Sequence, residues 1–374
     1  MKYYIISGEA SGDLHASNLM RHLKQKDANM DVRAWGGDLM QAQGATLVKH
    51  YKDLAFMGFL EVLMNLRVIL SNIKFCKKDI LQYQPNALIL VDYPGFNMRI
   101  AKFAKAHNIP VYYYISPQVW AWKKNRVYDV KKYVTKLYSI LPFEKDFYAQ
   151  YDYEVEYLGH PLLDAVSNYR KEHRLDENQW KKAGRPLVAL LPGSRVQELK
   201  KMLPKMLAVE KQFPQCDFVI AGVESLGEAF YQSFLNESNI TLVFNKTYQL
   251  FDEADAALVS SGTATLETAL FNVPQVVCYQ TSWLSYKIAK VLVDVKYISL
   301  VNLISDQEIV KELIQENLTV SNMVAELDRL LSSEGTSRMQ TQYATLRTLL
   351  GGVGASERVA HSIVNGLKNE NSLD

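Results

Sequence analysis

The chain has 374 residues, a formal charge of +2 and 22% charged residues. That length exceeds a usual single domain and supplies material for two cores, while the near-balanced charge argues against a nucleic-acid binder. Three scattered cysteines (Cys76, Cys216, Cys278) show no CxxC or metal-ligand spacing and fit a reducing cytosol.

Lys2–Ser7 reads as a buried strand that begins at once and is followed by Glu9 and Asp13, so no signal peptide is expected. The turn Gly8-Glu9-Ala10-Ser11-Gly12-Asp13 leads to a helix over Leu14–Gln25. Its spacing is not GxGxxG, and Gly8 and Gly12 serve equally well as a tight turn with close helix packing. Asp31–Trp35 is a second strand, closed by Gly36-Gly37. Phe56–Phe75 is apolar almost all round a helical wheel, interrupted by Glu61, Asn65, Arg67, Asn72 and Lys74. Such a helix is buried in protein or faces lipid. Lys74, Lys77 and Lys78 suit anionic headgroups, and in the lipid reading Phe59, Leu60, Leu63, Leu66, Ile69 and Leu70 form the contact surface. No apolar run reaches the roughly 20 residues that span a bilayer.

The strand Ala87–Val91 ends in Asp92-Tyr93-Pro94-Gly95-Phe96-Asn97. A carboxylate just past the C-terminal end of a parallel strand lies where α/β proteins bind ligands, so Asp92 is a candidate general base. A turn aspartate before proline is the plain alternative. Pro110–Ile115 is another strand, leading to Ser116-Pro117-Gln118-Val119-Trp120-Ala121-Trp122-Lys123 and the basic residues Lys124 and Arg126. Trp beside Lys and Arg marks a membrane interface or an anionic ligand, unless the aromatics simply face inward from a basic helix. Val134–Leu141 continues the alternation, Gly159-His160-Pro161 marks the passage to the second half, and Tyr169–Gly184 reads as a linker. His160 is expected to be a packed hinge residue.

The second half repeats the alternation, with strands at Leu187–Leu191, Asp217–Ala221, Ile240–Phe244, Ala256–Ser260 and Gln275–Tyr279. Strands alternating with helices imply parallel sheets with right-handed crossovers. Two of the strands run into small-residue turns. After Leu191 come Pro192, Gly193, Ser194 and Arg195; after Ser260 come Ser261, Gly262 and Thr263, then a helix carrying Glu267. Unpaired amides and the helix dipole suit a phosphate, and Arg195 adds a fork of donors. A carboxylate about one turn into the second helix suits a ribose diol. One turn for diphosphate and one for ribose make a nucleotide-sugar site, although N-caps and a solvated acid explain the same residues. Tyr297–Ile304 carries Asn302, a base or ribose contact or a turn amide. The last apolar-periodic helix is about Ser356–Leu367.

These pieces together resemble the lipid-A-disaccharide synthase family, glycosyltransferases of Gram-negative lipopolysaccharide assembly. The carrying motifs are GEASGD (Gly8–Asp13), MGFLEVL (Met57–Leu63), DYPGFN (Asp92–Asn97), SPQVWAW (Ser116–Trp122) and LPFEKDFY (Leu141–Tyr148). They continue in order with GHPLLD (Gly159–Asp164), LLPGSR (Leu190–Arg195), SSGTATLE (Ser260–Glu267) and VKELIQ (Val310–Gln315). The resemblance implies an α/β chain of GT-B type, two Rossmann-like domains with parallel sheets facing across a cleft. It implies an acceptor domain over 1–165 and a UDP-sugar domain over 166–344, with helices from about 345 to 374 returning to the first domain or to a partner's. It implies transfer of 2,3-diacylglucosamine from UDP-2,3-diacylglucosamine to lipid X, the 2,3-diacylglucosamine 1-phosphate. Carried over by position, Ser194 and Arg195 fall on the donor diphosphate. Ser261, Gly262, Thr263 and Glu267 fall on the nucleotide loop and ribose, Asn302 near the donor, and Asp92 becomes the base. Gly8, Ser11, Gly12, Asp13, Trp120 and Lys123 are assigned to the acceptor side. With no Asp-x-Asp pair to hold a metal, a metal-independent reaction is expected, with no cofactor. The resemblance further implies a cytoplasmic protein held peripherally on the inner-membrane surface, no nucleic-acid partner, and room for a homodimer. Asp38, Gln280 and Val301 depart from the family pattern. Outside this reading stand another UDP-sugar enzyme, such as a UDP-N-acetylglucosamine 2-epimerase-like protein, a nicotinamide oxidoreductase, and a non-catalytic membrane-associated nucleotide-binding scaffold.

Overall fold

The computed structural model describes residues 1–54, 65–122, 124–173, 179–235, 240–283, 286–287, 290 and 295–371. The chain forms two compact units, Met1–Ala165 with Leu350–Asp374, and Val166–Leu349.

The first unit is built on β1 (Lys2–Ser7), β2 (Asp31–Gly36), β3 (Thr46–His50), β4 (Ala87–Val91), β5 (Val111–Tyr114), β6 (Lys136–Ser139) and β7 (Glu156–Tyr157). They form a parallel sheet in the order β3-β2-β1-β4-β5-β6-β7. The strands read as unbroken apolar runs because both faces are covered. Successive side chains of β1 go to opposite faces. Tyr3 and Ile5 join Leu19, Leu23, Ile363 and Leu367 on one side. Tyr4 and Ile6 join Ile73, Ile80, Ile100 and Val130 on the other. The last helix, Ala355–Asn371, thus shares a core with the first, Ala10–Lys26. Its start is fixed by the buried Asp164 carboxylate, which accepts the amides of Gly354 at 2.5 Å and Ser356 at 2.7 Å. The long helix Ser333–Leu349 stays with the second unit, so the division falls at 349 rather than 344.

The second unit uses β8 (Leu187–Leu191), β9 (Asp217–Gly222), β10 (Thr241–Phe244), β11 (Ala256–Ser260), β12 (Gln275–Tyr279) and β13 (Lys311–Ile314). Their order is β10-β9-β8-β11-β12-β13, again parallel. In each sheet the chain winds outward from the first strand, then returns to that strand's other side. The reversal points lie between β1 and β4 and between β8 and β11. Crevices outside the carboxyl ends of such strand pairs are where open α/β sheets bind ligands.

Several elements differ from expectation. The first helix begins at Ala10 instead of Leu14, because Ser11, Gly12 and Asp13 form its first turn. The apolar helix, as described, runs over Leu66–Tyr83, with Phe75 in its interior. Tyr169 is no linker residue: it lies in the helix Pro161–Glu172 and meets Tyr248 and Phe271 edge-on. His160 is 2% exposed, with its amide on Leu350 O at 3.2 Å, a packed junction residue.

Candidate active site

In the first unit, Ser7 pairs with Val91, so the residues that follow, Gly8 and Asp92, leave the sheet side by side. Asp92 and Tyr93 have φ of 47° and 50°, two successive side-chain-bearing residues in the left-handed region. Such conformations cost about 1–3 kcal/mol each and persist only where the surroundings enforce them. Here the Asp92 carbonyl accepts from Tyr113 Oη at 2.6 Å and Asn97 Nδ2 at 2.7 Å, while its amide donates to Tyr114 O at 3.2 Å. Pro94 then opens the helix Pro94–Ala106 with its φ preset.

The Tyr93 ring stacks on Phe96 at 5.4 Å and occupies the space where a side chain on Gly8 would begin, 2.5–2.7 Å from that Cβ position. Only glycine lets the two turns lock together. A side chain at Gly12 would likewise collide with Ser7 Oγ. The Asp92 carboxyl is half-buried and pushed up to about 7, first by burial and then by the Glu9 charge, against one amide bond from Tyr93. A carboxyl poised near neutrality is suited to take a proton.

Three residues assigned to the acceptor side are corrected. Asp13 is 2% exposed, and its oxygens accept the amides of Gly37 at 2.8 Å, Leu39 at 3.1 Å and Met40 at 3.2 Å. It thus caps the start of the short helix Asp38–Ala42 from outside that helix. Gly12 is buried beside Ser7 as a packing glycine. Trp120 is 9% exposed and lies edge-on against Phe143 at 4.9 Å, an inward aromatic. Ser11 is exposed on the first helical turn; Lys123 lies outside the described residues. A buried acid that sequence reasoning passed over, Glu144, accepts the Ser116 hydroxyl and the amides of Ile140 at 3.2 Å and Leu141 at 3.1 Å. Burial pushes it up to about 7. It ties the LPFE and SPQVWAW segments together, and its signal was a lone acid in the apolar run LPF ahead of a helix.

In the expected lipid surface, Leu66 and Leu70 are 45% and 52% exposed, Ile69 is half-buried, and Ile73, Cys76 and Ile80 face the core. The described part of this helix is therefore two-sided. Phe59, Leu60 and Leu63 lie outside the described residues. Among the described residues no helix is long and apolar enough to cross a membrane, and no three His, Cys, Asp or Glu side chains cluster to hold a metal.

In the second unit, Leu191 pairs with Val259, which brings the Pro192–Arg195 and Ser260–Thr263 turns together. Gly193 has φ +103°, and a Cβ there would stand 3.0 Å from Ser260 Oγ. Ser194, Arg195, Gly262 and Thr263 are all exposed. Arg195 precedes the helix Val196–Glu210 and makes one exposed contact, Nη1 to Glu198 Oε1 at 3.4 Å, which costs little to exchange for another anion. Ser261 is corrected in part: its hydroxyl donates inward to Ile298 O at 2.9 Å. Gly262 has φ +148°, which leaves Thr263 to open the helix Thr263–Leu270. Glu267, one turn on, is half-buried and accepts from Tyr248 Oη at 2.8 Å.

Asn302 is the clearest correction. It is fully buried, donates to Val310 O at 2.8 Å and Glu312 Oε1 at 2.9 Å, and accepts the amides of Ile309 and Val310. All four hydrogen-bonding positions of its amide are used inside the fold, so it has none for a donor sugar. Glu312, from the VKELIQ motif, completes that cluster by accepting from Ile298 N and from Ser299 N and Oγ.

The profile of the family described as Lipid-A-disaccharide synthetase matches residues 3–364. The chain belongs to that family. Among similar curated proteins, the Lipid-A-disaccharide synthase of Geobacter metallireducens is 36% identical over 370 residues, covering 97% of this chain and 96% of that one. That of Trichlorobacter lovleyi is 35% identical over 368 residues, covering 96% of each. Among solved structures, the UDP-GlcNAc 2-epimerase of Neisseria meningitidis bound to UDP-GlcNAc superposes with a TM-score of 0.70 at 13% identity, over 98% of this chain and 100% of that one. A glycosyltransferase of kitacinnamycin gives 0.65 at 14% identity, over 97% and 98%. At such identities these structures show the fold alone, and that fold is the GT-B class. Family and fold together make the protein a glycosyltransferase enzyme of lipid A synthesis.

Proposed function

We propose that this enzyme is an inverting transferase that moves 2,3-diacylglucosamine from UDP-2,3-diacylglucosamine to lipid X. The products are UDP and the β-1,6-linked disaccharide 1-phosphate. The observation that carries the reading is the enforced Asp92 turn, which holds a carboxyl at about 7 beside the Gly8 turn. In the reaction the acceptor's 6-hydroxyl oxygen attacks C1 of the donor sugar. Its proton passes to Asp92, the O6–C1 bond forms, and the C1–O bond to UDP breaks with its electrons leaving on the diphosphate. The first unit thereby supplies the base, with Gly8 and Ser11 on the acceptor side.

The second unit supplies the donor site. Negative charge grows on the departing UDP, where preorganised donors are worth most. Arg195, Ser194 and the amides opening the helix Thr263–Leu270 meet that charge, and Glu267 takes the ribose. This division needs no divalent ion: turnover is expected to survive chelation. Loss of turnover on chelation with recovery on Mg²⁺ would remove that part of the reading.

Both substrates carry two acyl chains, each worth about 0.8 kcal/mol per buried CH₂, so they reside in a bilayer. The exposed Leu66, Val68, Leu70 and Phe75, with Lys74 and Lys78 also exposed, support docking of the first unit on the cytoplasmic face of the inner membrane. The test of the whole reading is UDP release from UDP-2,3-diacylglucosamine, expected only when lipid X is also present. An enzyme that released no UDP from this pair, and epimerised UDP-N-acetylglucosamine instead, would overturn it.

A further inference from the structure

Glu267 is held with unusual care for a helix-face acid. Tyr248, from the short helix Thr247–Glu253, donates its hydroxyl to Glu267 Oε1 at 2.8 Å. The Tyr248 ring is itself pinned. It meets Tyr169 edge-on at 5.3 Å and 80°, and lies tilted on Phe271 at 4.9 Å and 45°. The far end of the Glu267 helix is tied as well: Arg347 Nη2 donates to the carbonyls of Ala269 at 3.3 Å and Leu270 at 3.1 Å, and to Asn272 Oδ1 at 3.4 Å. Helix, carboxylate and phenol are therefore tied to one another and to their neighbours at both ends. Among the described residues, Tyr248 is the only hydrogen-bond partner of the Glu267 carboxylate, and it occupies one oxygen of the two.

A half-buried carboxylate with one oxygen engaged, and with no partner for the other among the described residues, is matched to a vicinal diol, whose two hydroxyls donate to the remaining lone pairs. We propose that Tyr248 is a positioning residue for the donor's ribose: by engaging Oε1 it fixes the Glu267 side chain and leaves Oε2 to accept the ribose hydroxyls. This rests on the reading of the second unit as the UDP-sugar unit. The phenol also opposes the upward push that burial exerts on Glu267, favouring the ionised form that hydroxyl donors need. Nothing in the SSGTATLE motif marks Tyr248. It lies 19 residues before Glu267, in the otherwise unremarked TYQLFDE segment.

The experiment compares dissociation constants of UDP and 2′-deoxy-UDP for the wild type, Tyr248→Phe and Glu267→Gln, each checked for an unchanged circular-dichroism spectrum. The wild type is expected to prefer UDP by about 10- to 100-fold, the value of a hydroxyl bonded to a charged acceptor. Phenylalanine keeps the ring and its packing, so Tyr248→Phe should cut that preference by about 3- to 10-fold while 2′-deoxy-UDP affinity holds within about twofold. A merely structural tyrosine would instead weaken both ligands by one factor. That result, or an unchanged preference, overturns the proposal. Glu267→Gln separates the two levels of the argument. If it leaves the preference intact, Glu267 does not read the ribose and the underlying site assignment fails too. If it removes the preference and Tyr248→Phe does not, only the role of Tyr248 falls.

Discussion

The two switch points are built at equivalent places in two parallel sheets, yet they are finished in opposite ways. Between β1 and β4 the backbone is forced: Asp92 and Tyr93 sit in the left-handed region without glycine, and Gly8 is filled by the Tyr93 ring. The acid there is half-buried and its carboxyl is raised to about 7. Between β8 and β11 the positive-φ positions are glycines, Gly193 and Gly262, and Ser194, Arg195 and Thr263 stand in solvent. A proton acceptor gains from confinement, because loss of water lifts its affinity for a proton into the useful range. A diphosphate site gains from openness, because its donors must reach a ligand that arrives already charged. In the proposed reading, one architecture serves two tasks by changing what fills the turn.

The largest effect expected from breaking this contrast is at Asp92. Asparagine accepts the left-handed conformation but cannot take a proton, so Asp92→Asn should lower kcat by about 10²–10⁴-fold in a UDP-release assay. Next is Arg195→Ala, expected to lower kcat/KM by about 10²–10³-fold and to weaken UDP in the same preparation, since the proposed site uses its charge in the ground state as well as at departure. The pH profile sharpens the comparison. In the proposed role Asp92 acts as the ionised carboxylate, and burial together with the Glu9 charge pushes that carboxyl up to about 7. Log kcat/KM should therefore fall with unit slope below about pH 7 in the wild type, and Arg195→Ala should keep that limb. Smaller are the packing glycines. Gly8→Ala must displace the Tyr93 ring, whereas Gly193→Ala meets a positive φ and Ser260 Oγ at 3.0 Å. Each should cost about 1–3 kcal/mol by denaturant titration, but only the first should also disturb the Asp92 limb. The smallest effect on the folded protein is on the outer face of the helix Leu66–Tyr83. Leu66→Ser with Leu70→Ser should leave the melting temperature within a few degrees while halving, or more, the fraction that sediments with anionic vesicles.

Much of the scaffold was legible. β1, β4, β8, β11 and β12 match their expected limits because each is a short apolar run covered on both faces, which leaves little choice of register or length. The turn pairs were legible as motifs because small residues and a carboxylate gather at the ends of strands that the sheets bring side by side. Side-chain direction was not legible. Asp13 and Trp120 belong to quoted motifs and Asn302 was carried over by position, yet each is turned into the fold, and Ser261 is half-turned. A motif records that a residue type is needed, and a cap or a buried amide needs it as strictly as a ligand does. Tyr248 and Glu144 escaped notice for a complementary reason. Their side-chain partners are 19 and 28 residues away, at Glu267 and Ser116, a distance no local pattern spans.

The division of labour between the two units is tested most directly by the affinity of Asp92→Asn for UDP, measured by calorimetric titration. The account predicts a dissociation constant within about twofold of the wild type, in an enzyme that no longer turns over. A loss of UDP affinity as deep as that of Arg195→Ala would contradict it.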